Sequence, residues 1–367
     1  MKIGQREGNT MAVTPRIDED RLNELLGKVV GDLGAAMSAP LMVIGDRLGL
    51  YKALAESGPQ TADELAGRTG TIVRYIRPWL VNQAAHGYVD YDSTEGRYSL
   101  SPEQAMVLAN DDTPAFVVGG FELVVGATQA TDRIAETFRT GAGMAWGEHD
   151  PMLFRGTERF FRPGYLGNLT SSWIPALDGI AARLKAGGRV ADVGCGHGAS
   201  TIIMAEAYPN ARFTGFDTHD GSIEQARRRA EEAGVADRVA FEVASATDFP
   251  APDGGYDLVA SFDCLHDMGD PEGALRRTRE TLSEGGVAMI VEPMAGDRPE
   301  DNFNPVGRVY SAGSAMICTP HATATGGKGL GTIAPDADIR DVARAAGLTR
   351  FRRAIETPFN RIFEARL

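Results

Sequence analysis

Cysteine is scarce in this chain. Its 367 residues contain three, Cys195, Cys264 and Cys318, far apart and with no C-x-x-C pair. Neither a zinc cluster nor a disulfide framework is indicated. Positive charge is also short: 37 Lys and Arg against 50 Asp and Glu leave a net charge of −13. That balance argues against nonspecific adhesion to nucleic acid or to an anionic membrane. No run of about 18 apolar residues stands out, so no membrane span is expected. Residues 1–15 are polar and glycine-rich and lack an apolar signal-peptide core. They predict a disordered tail over residues 1–17 of a cytoplasmic protein. Repeats and low-complexity tracts are absent as well. At this length two domains, each with its own core, are expected.

The most informative stretch that is present is Val190-Ala191-Asp192-Val193-Gly194-Cys195-Gly196-His197-Gly198. It reads as a buried strand breaking into a glycine-rich turn, followed by a helix over Ala199 to Tyr208. Glycine at alternate positions lets the backbone approach a ligand and take up positive φ without strain. Cys195 fits there as a small packing residue. The next strand, Ala211 to Phe216, ends in Asp217, about 20 residues beyond the turn, where a carboxylate suits the two hydroxyls of a ribose. An adenosine-containing cofactor at the carboxyl ends of parallel strands is predicted.

The acid ahead of the glycines narrows the cofactor. A dinucleotide turn reads G-x-G-x-x-G and seats a pyrophosphate. Here the pattern is D-x-G-x-G-x-G, and Asp192 disfavours a phosphate but suits the ammonium end of an amino acid. The pattern resembles motif I of the class I S-adenosylmethionine (SAM) methyltransferases. That resemblance implies SAM as cofactor and S-adenosylhomocysteine as product. It places Asp192, Gly194, Gly196, Gly198, Asp217 and Phe262 around the cofactor, with His197 packed against it. At the adenine, where many such enzymes have Asp, alignment puts Ser245, with Ala246 beside it and Asp248 three residues further on.

Along the chain, residues 18–110 read as mainly helical. Leu22, Leu25, Leu26, Val29, Val30 and Leu33 recur at helical spacing, and a second apolar helix is expected over about Ala39 to Leu54. Thr61 and Glu64 form a capping-box signature. A helix over Ile72 to His86 precedes two short strands, Tyr88 to Tyr91 and Arg97 to Leu100, around a turn. Helices followed by a hairpin give the winged-helix order. Between Gly58 and Ser101 there are four arginines against five acids, and the would-be wing is acidic. DNA affinity depends on neutralising phosphates, so dimerisation is the better use of this domain. Residues 111–180 read as a helical linker and lid. From 181 to 367 strands and helices alternate, at Arg189–Val193, Arg212–Asp217, Val239–Val243, Tyr256–Phe262 and Gly286–Glu292. A helix over Asp336–Ala346 then leads to strands Thr349–Ala354 and Asn360–Glu364. The fold class is α/β: a doubly wound Rossmann-like methyltransferase sheet behind an N-terminal, mainly α winged-helix domain.

Phe262-Asp263-Cys264-Leu265-His266-Asp267-Met268-Gly269-Asp270 is similar to the L-H-D-W-x-D segment of plant and Streptomyces small-molecule O-methyltransferases. In that family the histidine deprotonates the acceptor hydroxyl, which implies His266 as base, and an N-terminal winged helix makes a homodimer. A nearer likeness is to a group of bacterial, largely actinobacterial, winged-helix methyltransferases. It rests on Ile44 to Tyr51, Glu158 to Tyr165, Phe262 to Asp270 and Thr357 to Asn360. The segment His321 to Lys328 departs from that group. Glu292, at the end of a strand, is placed to orient His266 or to meet the substrate. Asp301-Asn302 is similar to the D-N pair of catechol-type enzymes, but no third ligand accompanies it, so no metal is expected.

Trp146, Arg159, Phe160, Tyr165 and His321 are candidates for the acceptor pocket, because pockets favour domain junctions. His149 is a further candidate; His86 and His219 read as structural or solvated. Methyl transfer is in-line displacement at carbon, so the protein must desolvate the acceptor and bring it within about 3–3.5 Å of the methyl. An oxygen or nitrogen acceptor needs a base, and His266 is the candidate. A thioether carboxylic acid, of the methylthio-hydroxybutyrate type, needs none, but calls for Arg159 or Arg162 to clamp its carboxylate. A SAM-binding transcriptional regulator is the alternative outside enzymes.

Overall fold

The computed structural model describes residues 17–367, so the expected tail lies outside the described residues except for Ile17. The first helix starts at Asp18, whose side chain accepts the N–H groups of Asp20 and Arg21 at 3.1 and 3.2 Å. It runs unbroken over Glu19–Arg47, with Pro40 inside it. The expected division into two helices before Ala39 is therefore wrong. Pro40 costs the helix one N–H donor, but Ser38, Ala39, Met42 and Val43 are buried around it, and that packing outweighs the loss. The break falls instead at Gly49, where φ is +67°, and a second helix, Leu50–Ser57, follows.

The N-terminal core gathers Met42, Leu50, Tyr51, Leu65, Ile76, Trp79 and Leu80. Thr61 and Glu64 form the expected capping box on the helix Ala62–Thr69, and Val73–Ala85 is helical. The wing consists of β1 (Asp90–Asp92) and β2 (Arg97–Ser99), paired antiparallel.

Two helices of the linker region, Val118–Thr128 and Pro151–Asn168, pack backbone to backbone. Glycine makes that possible. A Cβ on Gly156 would lie 2.1 Å from the Leu123 nitrogen, and one on Gly126 2.4 Å from the Leu153 nitrogen. The helix Pro151–Asn168 becomes the lid of the site described below.

The C-terminal sheet has seven strands: β3 (Arg189–Val193), β4 (Arg212–Asp217), β5 (Val239–Val243), β6 (Tyr256–Phe262), β7 (Leu282–Pro293), β8 (Arg350–Glu356) and β9 (Asn360–Arg366). Their order is β5-β4-β3-β6-β7-β9-β8. The first five are parallel, and β9 lies antiparallel between β7 and β8. Parallel strands are covered on both faces and so read as near-continuous apolar runs; Val287 to Val291 are all buried. The expected strand boundaries hold closely, except that β7 begins earlier, at Leu282. The carboxyl ends of β3, β4 and β6 meet at one edge of the sheet, under the lid helix.

Candidate active site

A cavity of about 650 Å³ opens at those strand ends. Its cofactor side includes Gly194, Gly196, Asp217, Ser245, Ala246 and Phe262, all expected from the sequence. The turn is tied to the next strand: the N–H groups of Gly194 and Cys195 both donate to the Phe216 carbonyl, at 2.8 and 3.0 Å. Gly194 and Gly196 have φ of +78° and +51°, and a Cβ on Gly196 would meet nothing within 4 Å, so the backbone there faces open space. The Asp217 carboxylate accepts the N–H of Gly196 at 2.9 Å and that of His219 at 2.9 Å. One acid thereby joins the glycine turn to the end of β4.

Two residues expected at the cofactor do not line the cavity. Asp192 is fully buried, and its Oδ2 accepts the hydroxyls of Ser200 and Thr201, both at 2.6 Å. That oxygen fastens β3 to the helix Ala199–Ala207, and Oδ1 has no hydrogen-bond partner among the described residues; the side chain is set back from the cavity. The reason is its place inside the strand, before the chain turns toward the cavity at Gly194. Burial lifts its pKa to about 6 against the pull of the two hydroxyls. Gly198, at φ +79°, starts that helix. Asp248 also lies off the cavity, and the Ser245 hydroxyl holds the Thr247 N–H at 3.2 Å.

On the acceptor side Trp146, Tyr165 and His321 line the cavity as expected, and Arg159 and Phe160 do not. Positions 154, 158, 161 and 165 share one face of the lid helix, and 159 and 160 fall outside it. Arg159 turns toward the N-terminal domain, donating to Asp46 at 2.6 and 3.1 Å and to Glu122 at 3.2 Å. Phe160 sits against Gly120. Arg162 donates to the Asp111 carbonyl at 3.1 Å. The spacing 154/158/161/165 was the sequence signal for Phe154, Glu158 and Phe161, which do line the cavity. His149 is buried edge-on to Trp146 and lies off the cavity. His219 was read as structural or solvated. It lines the cavity, and its ring stacks on Phe154 with centroids 5.0 Å apart.

His266 and Glu292 form a buried pair, with Nδ1 and Oε2 2.6 Å apart. Neither lines the cavity; the expectation that His266 faces the acceptor is not met in this conformation. The His266 carbonyl accepts the N–H groups of Leu330 and Gly331, both at 2.9 Å. Its neighbours in the same motif do face the cavity. Asp263 has φ +51° and accepts the Tyr165 hydroxyl at 3.1 Å and the Asn360 amide at 2.7 Å. Asp267 lies on the wall beside it. Of this motif the acids Asp263, Asp267 and Asp270 line the cavity, and the histidine does not.

A family model described as a methyltransferase domain matches residues 184–325, and one described as an Rv2258c-like winged HTH domain matches residues 36–110. The chain joins a methyltransferase domain to a winged-helix domain. Over 134 residues it is 40% identical to 27-O-demethylrifamycin SV methyltransferase of Amycolatopsis mediterranei, an alignment covering 36% of this chain and 49% of that one. The chain thus spans about half the length of that relative. A putative O-methyltransferase structure from Nostoc punctiforme superposes with a TM-score of 0.68 at 19% identity, covering 93% of this chain and 98% of that one. Human N-acetylserotonin methyltransferase in complex with SAM superposes with a TM-score of 0.65 at 17% identity, covering 97% and 99%. At those identities the superpositions speak for the fold.

The methyltransferase domain has a donor set that fits SAM: an open glycine turn, a carboxylate at the ribose position and small residues at the adenine position. Its cavity is acidic. Glu158, Asp217, Asp263, Asp267 and Asp270 line it, and among the described residues no Lys or Arg does. Burial and the Glu292 charge push Asp263 up to about 8. Burial also lifts Asp267, to about 7, with Glu292 and Asp217 adding to the rise and His266 opposing it. At His266 burial pulls the other way, but the Glu292 carboxylate outweighs it and holds the ring well above the usual imidazole range. His321 is lowered by burial, with the Asp217 charge opposing. Its Nδ1 accepts the Trp146 N–H at 3.1 Å.

Proposed function

We propose that this protein methylates a hydroxyl group, or an amine, of a small apolar molecule, using SAM. The observation that carries this reading is the single cavity that joins the glycine turn and Asp217 to an aromatic wall of Trp146, Phe154, Phe161 and Tyr165. SAM bound there supplies an electrophilic methyl group on a sulfonium. Gly194 and Gly196 let the backbone approach it, Asp217 holds the ribose, and Ser245, Ala246 and Phe262 bound the adenine. The aromatic wall excludes water and sets the acceptor in line. The 27-O-demethyl substrate in the rifamycin relative's name supports oxygen as the atom attacked.

The thioether-acid reading needs a cation for the carboxylate. Arg159 is spent on Asp46 and Glu122, and Arg162 on Asp111. Among the described residues no Lys or Arg lines the cavity to take their place. The regulator reading needs a basic face on the winged domain. There Arg68, Arg77 and Arg97 bind Gln60, Asp63 and Glu64, and the exposed Arg74 stands among more acids than arginines. Homodimerisation remains our proposal for this domain. Leu22, Leu25, Leu26, Val29, Val30, Leu33 and Met37 are exposed along the first helix, an apolar stripe suited to a second copy. That helix is long and apolar enough to cross a membrane by length and composition, which the sequence had not suggested. Its apolar residues form a stripe at helical spacing, interrupted by Lys28 and Asp32, which favours a protein partner.

The test is incubation with methyl-labelled SAM and a panel of phenols, alcohols, amines and thioether acids, followed by identification of the labelled product. Methyl transfer to a hydroxyl or amine is expected. Transfer confined to thioether acids, or SAM binding without any transfer, would overturn the reading.

A further inference from the structure

Resting on that reading, we propose that residues 314–331 form a gate between the cavity and the His266–Glu292 pair, which the acceptor opens by displacing Cys318. The pair has the form of a base held by its orienting group. Glu292 holds Nδ1 at 2.6 Å, which leaves Nε2 as the working nitrogen. Yet His266 is buried, while Cys264, Asp267 and Met268 around it line the cavity. One stretch of chain closes on it. The Cys318 sulfur lies within 4.8 Å of a His266 ring nitrogen and of an Asp267 carboxylate oxygen. Leu330 and Gly331 donate to the His266 carbonyl, both at 2.9 Å. His321 and Thr325, between them, line the cavity.

That stretch has the parts of a hinged cap. The helix Pro305–Gly313 passes into a π-turn over Ser314–Cys318, where the Thr319 N–H reaches back to the Ser314 carbonyl, and then into the helix Thr319–Ala324. A π-turn holds one residue more than an α-turn. Relaxing it would rotate the chain around it, Cys318 included, by up to about 100°. At the far end Gly326 and Gly331 have φ of +90° and +78°, and between them Gly327 lies on the motif turn. A Cβ there would clash with the Gly269 carbonyl oxygen. Among the described residues no ion pair ties residues 319–331 to the rest of the chain; close backbone contact and hydrogen bonds hold them.

The same stretch is tied to the aromatic wall. The Met144 N–H donates to the Pro320 carbonyl at 2.9 Å and the Trp146 N–H to His321 Nδ1 at 3.1 Å. Ile317 and Cys318 pack with Leu153 of the lid helix. An acceptor that settles against Trp146 therefore bears on the segment that covers the base. Its hydroxyl must come within about 2.6–3.2 Å of Nε2, and with Nδ1 taken by Glu292 it competes for that place with the Cys318 sulfur. Closed, the gate keeps water from the pair. It opens for a molecule that reaches Trp146 and His321 together, so Cys318 and the strap at 325–331 help to decide which acceptors are methylated.

The test compares wild type with Cys318→Ala and Gly327→Ala, each checked by circular dichroism and by calorimetry with S-adenosylhomocysteine. Adding the best acceptor from the panel to the wild-type S-adenosylhomocysteine complex should speed hydrogen exchange in the peptide carrying the Leu330 and Gly331 amides about tenfold, where a fixed wall would become better protected. Cys318→Ala removes the sulfur that the acceptor must displace, so the acceptor KM should fall about tenfold; the loss of an ordinary core side chain would not lower it. Gly327→Ala forces the strap off Gly269, so without any acceptor iodoacetamide should alkylate Cys318 about tenfold faster or more, read on its peptide by mass spectrometry. Should that variant fail to fold, the first two measurements decide. Slower or unchanged exchange with acceptor bound, beside an unchanged or raised KM for Cys318→Ala, would overturn the gate while leaving SAM-dependent methylation intact. If wild type binds SAM yet methylates no hydroxyl or amine, the gate falls together with the function it rests on.

Discussion

The two ends of the cavity are built in different ways. The cofactor end comes from short pieces of chain at the tips of adjacent parallel strands, Gly194 to Gly196 after β3 and Asp217 at the end of β4, joined by backbone hydrogen bonds. The acceptor end is assembled from three remote segments: the lid region from Trp146 to Tyr165, the turn from Asp263 to Asp270, and His321 with Thr325. The first is a property of the sheet, and its geometry follows from strand register. The second depends on how a helix and two loops happen to dock. Separate control of the two ends lets one fold keep its cofactor while the acceptor changes.

If the two ends are independent, mutations should divide cleanly between them. Asp217→Ala should have the largest effect on binding. It removes charge-assisted hydrogen bonds to the ribose worth about 1.5–3 kcal/mol each, so SAM affinity by calorimetry should fall roughly 100-fold. A drop of less than about threefold would blur the division. Trp146→Ala should raise the acceptor KM about tenfold and leave the dissociation constant for SAM within a factor of about two.

Smaller effects are expected away from both ends. Arg159→Ala should leave both binding constants alone and lower the melting temperature by a few degrees. It removes a partner from Asp46 and from the buried Glu122, which still has Arg47 and Arg155, a loss of about 1–2 kcal/mol. A changed acceptor KM would return Arg159 to the pocket. The smallest effect concerns pH in the ligand-free protein. Asp263, raised to about 8, and Asp267, raised to about 7, hold protons in the fold that the unfolded chain has already lost. His266, also raised, behaves alike. Stability should therefore fall as pH rises from 7 to 9, and Asp263→Asn should flatten the fall. Melting curves across that range test this, and a rise in stability would contradict it.

Much of the fold was legible because it rests on local rules. Strands β3 to β6 could be read to the residue, since β3 runs into Gly194 and β4 and β6 run into Asp217 and Asp263. That Gly194, Gly196 and Asp217 share one cavity followed from the same strands. The first helix was misdivided because Pro40 weighs against a helix locally, and only burial of its neighbours reverses that. The acceptor wall was half legible. Tyr165 and Trp146 stood out as aromatics, whereas Phe154, Glu158 and Phe161 needed the lid helix's facing to be known. Arg159 had the right chemistry for a substrate clamp and the wrong side of the helix.

From the chain alone came a Rossmann-like methyltransferase sheet, the glycine turn and acid at 194–217 and a winged domain with more acids than arginines, because periodicity, turn chemistry and charge act over short stretches. Tertiary structure decided which groups touch one another across long separations. It turned Asp192 inward to two hydroxyls, sealed His266 against Glu292, and set Asp267 on the cavity wall. The physical reason is that a side chain's chemistry belongs to its residue, but its burial, its charge state and what it can reach belong to its neighbours.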